Sequence, residues 1–267
     1  MNSRRQRGSS IVVTMATVGV LGMSAQPAGS VSGGVPDGSQ HPNVACVLGQ
    51  RSDGTFTGCG TGQLIAPDVV LVAAHEFPVL ASLGATRFFV SFESTVDPRT
   101  SELLEPAAIV AAPSFDPTSF SGLDLAVVQL SEPVQGVAPI QLPTAGLLDE
   151  MRRSGELRDA TLTLVGYGAD CTGRIPCPVA LDVTRRVATE AFGSLQRSTF
   201  WVLANDAATG RGGPCFGDSG SPHLLPGSMT TIGVTKAVLG NCNTAVPVTR
   251  VDTHEARSFL AGFVSVP

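Results

Sequence analysis

Short apolar runs broken by turn residues recur along almost the whole chain, and this pattern excludes most folds before any motif is read. Asn43 to Leu48, Gly62 to Ile65, Val69 to Ala73, Arg87 to Phe92, Ala107 to Ala111, Leu125 to Leu130, Thr161 to Val165, Phe200 to Leu203, Thr231 to Val234 and Val246 to Val251 are each four to six residues long. That is strand length, too short for helices, and Gly, Pro, Asp or Ser separates the runs. The pattern predicts an all-β antiparallel sandwich or barrel. Only near the end does helical spacing appear. Asp252 or Thr253 can cap a helix, Glu255 stands three residues after Asp252 as in a capping box, and Ala256, Phe259, Leu260 and Phe263 share one face.

The 267 residues suffice for one large or two medium domains. With 30 glycines, 19 prolines and 15% charged residues, the composition fits a compact, loop-rich chain. Residues 1–30 read as a signal peptide: Arg4, Arg5 and Arg7 form a basic start, Ile11 to Met23 is apolar, and Ala28-Gly29-Ser30 fits a cleavage site. The apolar stretch is short for a membrane span. Ser3-Arg4-Arg5 faintly suggests a twin-arginine signal, but Arg7-Gly8 follows where apolar residues belong, so ordinary secretion is expected. Removing the segment takes away three arginines and no acids, and the formal charge goes from -5 to -8. An acidic secreted chain is not expected to bind nucleic acid or, once processed, a membrane. The polar segment Asp149 to Glu156 reads as the connection between two halves, 31–148 and 149–267.

Six cysteines in a secreted chain point to three disulfides rather than buried free thiols. The most local set is expected. Cys46 and Cys59 flank the turn Arg51-Ser52-Asp53-Gly54, Cys171 and Cys177 bracket a loop with Gly173 and Pro176, and Cys215 remains for Cys242.

Three segments carry chemistry. Leu71-Val72-Ala73-Ala74-His75 ends one apolar run, Gly122-Leu123-Asp124 opens another, and Cys215-Phe216-Gly217-Asp218-Ser219-Gly220-Ser221-Pro222 forms a tight turn around a serine. A serine hydroxyl is a weak nucleophile that needs a base, histidine titrates near neutrality, and a carboxylate on the far ring nitrogen fixes the tautomer. Taken singly, His75, Asp124 and Ser219 are ordinary packing or turn residues; together, in this order, they read as a triad. Gly217 and Gly220 let the backbone turn so that the N–H groups of Gly217 and Ser219 converge as an oxyanion hole. His41 and His223 read as local loop hydrogen bonders. The four histidines, His254 included, show no paired ligand spacing, so neither a metal nor a cofactor is expected.

These segments resemble the trypsin/chymotrypsin-like serine proteases, most of all their secreted bacterial members. The resemblance extends over Val31-Ser32-Gly33-Gly34, Gly58-Cys59-Gly60-Thr61-Gly62-Gln63-Leu64-Ile65 and Val165-Gly166-Tyr167-Gly168. It implies two six-stranded antiparallel β-barrels with a C-terminal helix, the triad at their junction, and a monomer acting on protein or peptide substrates. It also implies that Asp218 pairs with the free α-amino group of Val31, so that signal removal itself would activate the chain.

The chain departs from the family pattern at several positions. Glu76 stands where a cysteine is common, which leaves Cys59 to Cys46. Ser221 replaces a glycine. Gly213, six residues before Ser219, replaces the aspartate of tryptic enzymes. Lys236 and Ala237 replace a serine and a bulky aromatic. The presumed specificity pocket of Gly213, Pro214, Lys236 and Ala237 therefore predicts neutral or apolar preference, with acidic preference the lesser alternative through Lys236, the only lysine. Two other readings stand beside this one: an inactive or weakly active binding protein of the same fold, and an α/β-hydrolase esterase, against which the triad order and the missing strand–helix alternation speak.

Overall fold

A computed structural model describes residues 31–168, 183–238, 242 and 244–267. The first half supplies β1 (Val35–Pro36), β2 (Val44–Gln50), β3 (Phe56–Ala66), β4 (Val69–Val72), α1 (Glu76–Ser82), β5 (Arg87–Ser91), β6 (Thr95–Val96), β7 (Pro106–Ala111) and β8 (Ala126–Leu130). Helix α2 (Leu147–Ser154) leads into β9 (Thr161–Gly166), β10 (Val183–Thr184), β11 (Arg186–Leu195), β12 (Thr199–Leu203), the short α3 (Asp206–Thr209), β13 (Pro222–Leu224), β14 (Thr231–Thr235), β15 (Ala245–Arg250) and α4 (His254–Leu260). The fold is mostly β, as expected.

The two halves close differently. In the second, the order β11-β12-β15-β14-β13-β9 returns on itself through β9–β11 pairing, making a closed six-stranded barrel. Strand β11 achieves this by bending: Arg186 to Ala191 pair with β9, Ala191 to Leu195 pair with β12, and the register shifts between Phe192 and Ser194. The first half forms a six-stranded sheet, β5-β2-β3-β4-β8-β7, that curls as a half-barrel. The two six-stranded units expected are thus present, the first of them as a half-barrel.

Strand β4, and β8 apart from Gln129, read as apolar runs because both faces are buried. Val69, Leu71 and Val127 face a cluster that includes Ala256 and Leu260 of α4, while Val70, Val72, Ala126 and Val128 face the half-barrel interior. The C-terminal helix thus belongs to the packing of the first half. Thr253 caps it, its hydroxyl accepting from Ala256 N–H. With Thr253 as the cap, the third helical position is Ala256, so Glu255 is out of register for a capping box and accepts instead from the Ser114 hydroxyl at 2.7 Å. The segment expected as a polar connection is mostly helix α2, with Leu148 buried and Gly155 in the left-handed region at φ 87°. Strand β11 escaped the periodicity reading because the polar Thr189 and Glu190 sit in its middle, yet Glu190 is fully buried.

Arg185 bolts the halves together. Its buried guanidinium donates to Asp37, to the carbonyls of Gly38, Val44 and Phe92, and to the Tyr167 hydroxyl.

Candidate active site

His75 and Asp124 meet because β4 and β8 are antiparallel neighbours with Val72 opposite Ala126. The histidine follows the end of β4, the aspartate precedes the start of β8, and both loops leave the same end of the sheet. Asp124 accepts from His75 twice, at the backbone N–H (2.9 Å) and at Nδ1 (2.7 Å). The imidazole is thereby held in one orientation with Nε2 facing the second half. There it lies 2.8 Å from the Ser219 hydroxyl. Three residues far apart in sequence form one continuous hydrogen-bonded chain.

Burial opposes a charge on His75, but the hydrogen bond and charge of Asp124, joined by the charge of Glu76, outweigh it and raise the imidazole above its usual value; Lys236 works the other way. A base of this kind accepts a proton from serine more readily than a free imidazole does.

The serine loop is shaped by two glycines in the left-handed region, Gly217 at φ 94° and Gly220 at φ 88°. A β-carbon at Gly220 would collide with the Thr61 carbonyl, and one at Gly217 would press on Gly168 and the Cys59 carbonyl. Gly220 N–H is used by the Thr235 carbonyl at 3.0 Å. The N–H groups of Gly217 and Ser219, in contrast, donate to no protein acceptor among the described residues. Ser221 is fully buried and its hydroxyl has no described partner.

Asp218 lies beneath this loop. Its carboxylate accepts from Gly168 N–H at 2.9 Å and Cys215 N–H at 2.8 Å. Burial pushes it up to about 7 against these bonds and a further one from the Val31 backbone N–H, with the charge of Glu190 adding to the rise. Val31, itself 1% exposed, is therefore beside Asp218.

The structure joins Cys46 to Cys59 and Cys215 to Cys242. Cys171 and Cys177 lie outside the described residues, as does the expected signal segment. Gly213 bridges to Ser32 through its backbone, and a side chain there would collide with Ala204; Pro214 beside it is buried. Lys236 and Ala237 are half-buried after β14, and the charge of Lys236 works against protonation of His75.

Sequence reasoning missed two neighbours of the triad. Phe120, 41% exposed, holds its ring 6.0 Å from that of His75. Its φ of 54° is rare for a bulky residue, and no periodicity signal marks it. Thr61 was seen only as part of a motif, yet its hydroxyl donates to the Gly217 carbonyl at 2.9 Å and accepts from Tyr167 N–H at 3.1 Å. His223 is not the loop residue expected: on β13 it is fully buried between Glu190 and the Thr235 hydroxyl. His41, by contrast, does pair locally, with Asp37. No cluster of potential metal ligands occurs among the described residues.

A serine, a histidine and an aspartate are thus hydrogen-bonded in series where the two β halves meet. The trypsin family model matches residues 33–257, and the chain belongs to that family. A collagenase from Hypoderma lineatum is 26% identical over 197 residues, covering 71% of this chain and 70% of the relative. The solved collagenase structure superposes with a TM-score of 0.61 at 21% identity, over 83% of this chain and 94% of that one. Human heparin binding protein gives the same TM-score at 19% identity, over 89% and 99%. The expected kinship with bacterial members finds no support in these relatives.

Proposed function

We propose that the protein is a secreted serine endopeptidase working through His75, Asp124 and Ser219. The observation that carries the reading is the 2.8 Å approach of Ser219 Oγ to His75 Nε2, with the ring already anchored by Asp124. In this mechanism Ser219 Oγ attacks the scissile carbonyl as its proton passes to His75 Nε2. The N–H groups of Gly217 and Ser219 receive the oxyanion, each contributing about 3 to 4 kcal/mol. The imidazolium then protonates the leaving amine, and water, activated by the same base, hydrolyses the acyl-enzyme.

Asp218 is the proposed partner of a free amine on Val31. A buried carboxylate with only N–H donors is poorly compensated, and a cation at Val31 supplies the missing charge. Processing before Val31 is thus the proposed activating step. The alternative is cleavage after Ala25 or Ala28 with later trimming, and active material beginning at Gln26 or Gly29 would sink activation by signal removal alone.

Specificity is proposed to be neutral or apolar. Phe120 beside His75 supplies apolar surface, and Gly213 brings no charge. Lys236 favours the acidic alternative, and profiling with a peptide library separates the two: cleavage beside Asp or Glu that is lost in Lys236→Ala supports the second. An inactive binding role, prompted by the heparin binding protein likeness, is the other reading. The net charge of -5 argues against a polyanion as ligand here. Among the described residues no helix is long and apolar enough to cross a membrane.

A serine-directed fluorophosphonate probe tests the central claim. Labelling at Ser219 that disappears in His75→Ala supports the peptidase. Folded, Val31-initiated protein that does not label makes the binding role the better account.

A further inference from the structure

Glu76 is a carboxylate in an unusual place. It opens α1 directly after His75, is 5% exposed, and receives no hydrogen bond among the described residues. Its carboxyl rests on Gly60, where any β-carbon would collide with it. Strands β2 and β3, which pack against α1, bring no ionisable side chain except the bridged Cys46 and Cys59. The charges that bear on Glu76 are therefore those of His75 and Asp124, while Lys236 from the second half bears on His75.

An ionised carboxylate so buried is unfavourable unless a cation lies close. Lys236 makes no ion pair among the described residues. The imidazolium of His75 is the neighbour able to compensate it, and that species forms whenever Ser219 gives up its proton. Burial pushes Glu76 up to about 7, with His75 opposing and Asp124 adding to the rise. Glu76 in turn helps to raise His75.

We propose that Glu76 is a positioning residue for the base: a second carboxylate, beside Asp124, that stabilises the His75 imidazolium and couples its titration to that of the base. Glu76 neither donates nor accepts a proton during turnover; the proton moves from Ser219 Oγ to His75 Nε2. The proposal rests on the triad reading above. Its consequence is an acid limb of kcat/KM governed by two linked ionisations, since protonation of Glu76 removes the charge that stabilises the imidazolium formed during turnover. In Glu76→Gln, which keeps the shape against Gly60, the limb becomes a single ionisation and moves down by about one pH unit. The plateau falls several-fold. Asp218 is also buried, so a second ionisation in the wild type alone does not assign it; its loss in Glu76→Gln does.

The deciding experiment needs no turnover. His75 is titrated by NMR in the full chain carrying Ser219→Ala, with and without Glu76→Gln. A fall of about one unit in the imidazolium titration supports the proposal, and an unchanged titration in folded Glu76→Gln overturns it. Should Glu76→Gln not fold, the Glu76 carboxyl carbon is followed in Ser219→Ala alone. Titration linked to His75 supports the coupling, and an independent titration in the ordinary carboxylate range overturns it. Failure of Ser219 to label with a fluorophosphonate would refute the peptidase and leave this electrostatic result standing.

Discussion

The Thr61 hydroxyl of the half-barrel donates to the carbonyl of Gly217 in the serine loop of the other half, at 2.9 Å. Its oxygen also accepts from Tyr167 N–H, and its backbone N–H donates to the Ser219 carbonyl. One small buried residue thus ties together both flanks of the proposed nucleophile.

Thr61→Val keeps the volume and removes the hydroxyl. The Gly217 carbonyl and Tyr167 N–H lose their partner in a buried setting, costing about 1 to 3 kcal/mol. Denaturant unfolding should show that loss. Because Gly217 is a proposed oxyanion donor, kcat should fall more than KM rises. Thr61→Ser should restore both, and a fully active Thr61→Val would refute the link.

Asp124→Asn leaves a hydrogen-bonding group against His75 but favours the wrong tautomer. A loss of about 10⁴ in kcat is expected, with little change in the midpoint of unfolding. Fluorophosphonate labelling rates measure it directly. A loss below tenfold would mean that Asp124 does not orient the base.

Asp218 gives the full chain a pH dependence whose sign can be worked out. Its folded value, about 7, lies above the ordinary 3.8. Stability from this group is therefore complete below about pH 4 and declines as pH rises through 7, because the unfolded chain releases its proton earlier. Glu76 acts in the same direction, up from 4.5 to about 7. Thermal unfolding of the unprocessed chain between pH 4 and 8 should show the decline, and Asp218→Asn should reduce it. Protein beginning at Val31 should lose less, since the amine favours the carboxylate. Equal profiles for processed and unprocessed protein would refute the pairing.

Arg185→Met removes five donated bonds from a buried cluster. Asp37 then loses its guanidinium partner and keeps only His41, and about 3 to 5 kcal/mol of stability should be lost. Burial opposes the Asp37 charge, yet the hydrogen bonds of His41 and Arg185 overcome it and hold the carboxyl below 3.8. That contribution is present above about pH 4 and disappears on acidification through the lowered value. Acid unfolding of wild type and variant should converge at low pH.

Much of this protein was legible in one dimension because the relevant physics is local. Strands β4 and β8 announce themselves as apolar runs, and Gly217 and Gly220 mark a turn that only glycine makes comfortably. The helix α4 shows its face through Ala256 and Leu260. The helix α2 in the expected connection gave no periodicity signal because polar residues dominate it, while one buried Leu148 and two flanking glycines suffice to seat it.

Residue types, their order and their turn chemistry were thus set by the chain itself: His75, Asp124 and Ser219 could be named from local context. What tertiary structure alone decided was which distant groups share a dielectric environment. Closure of the second barrel, the bond from Thr61 to Gly217, the ring of Phe120 near His75, and the burial of Glu190, His223 and Glu76 all depend on contacts between segments tens to more than a hundred residues apart. Sequence spacing carries no signal for such contacts, because desolvation and charge pairing are set by distance in space and not by distance along the backbone.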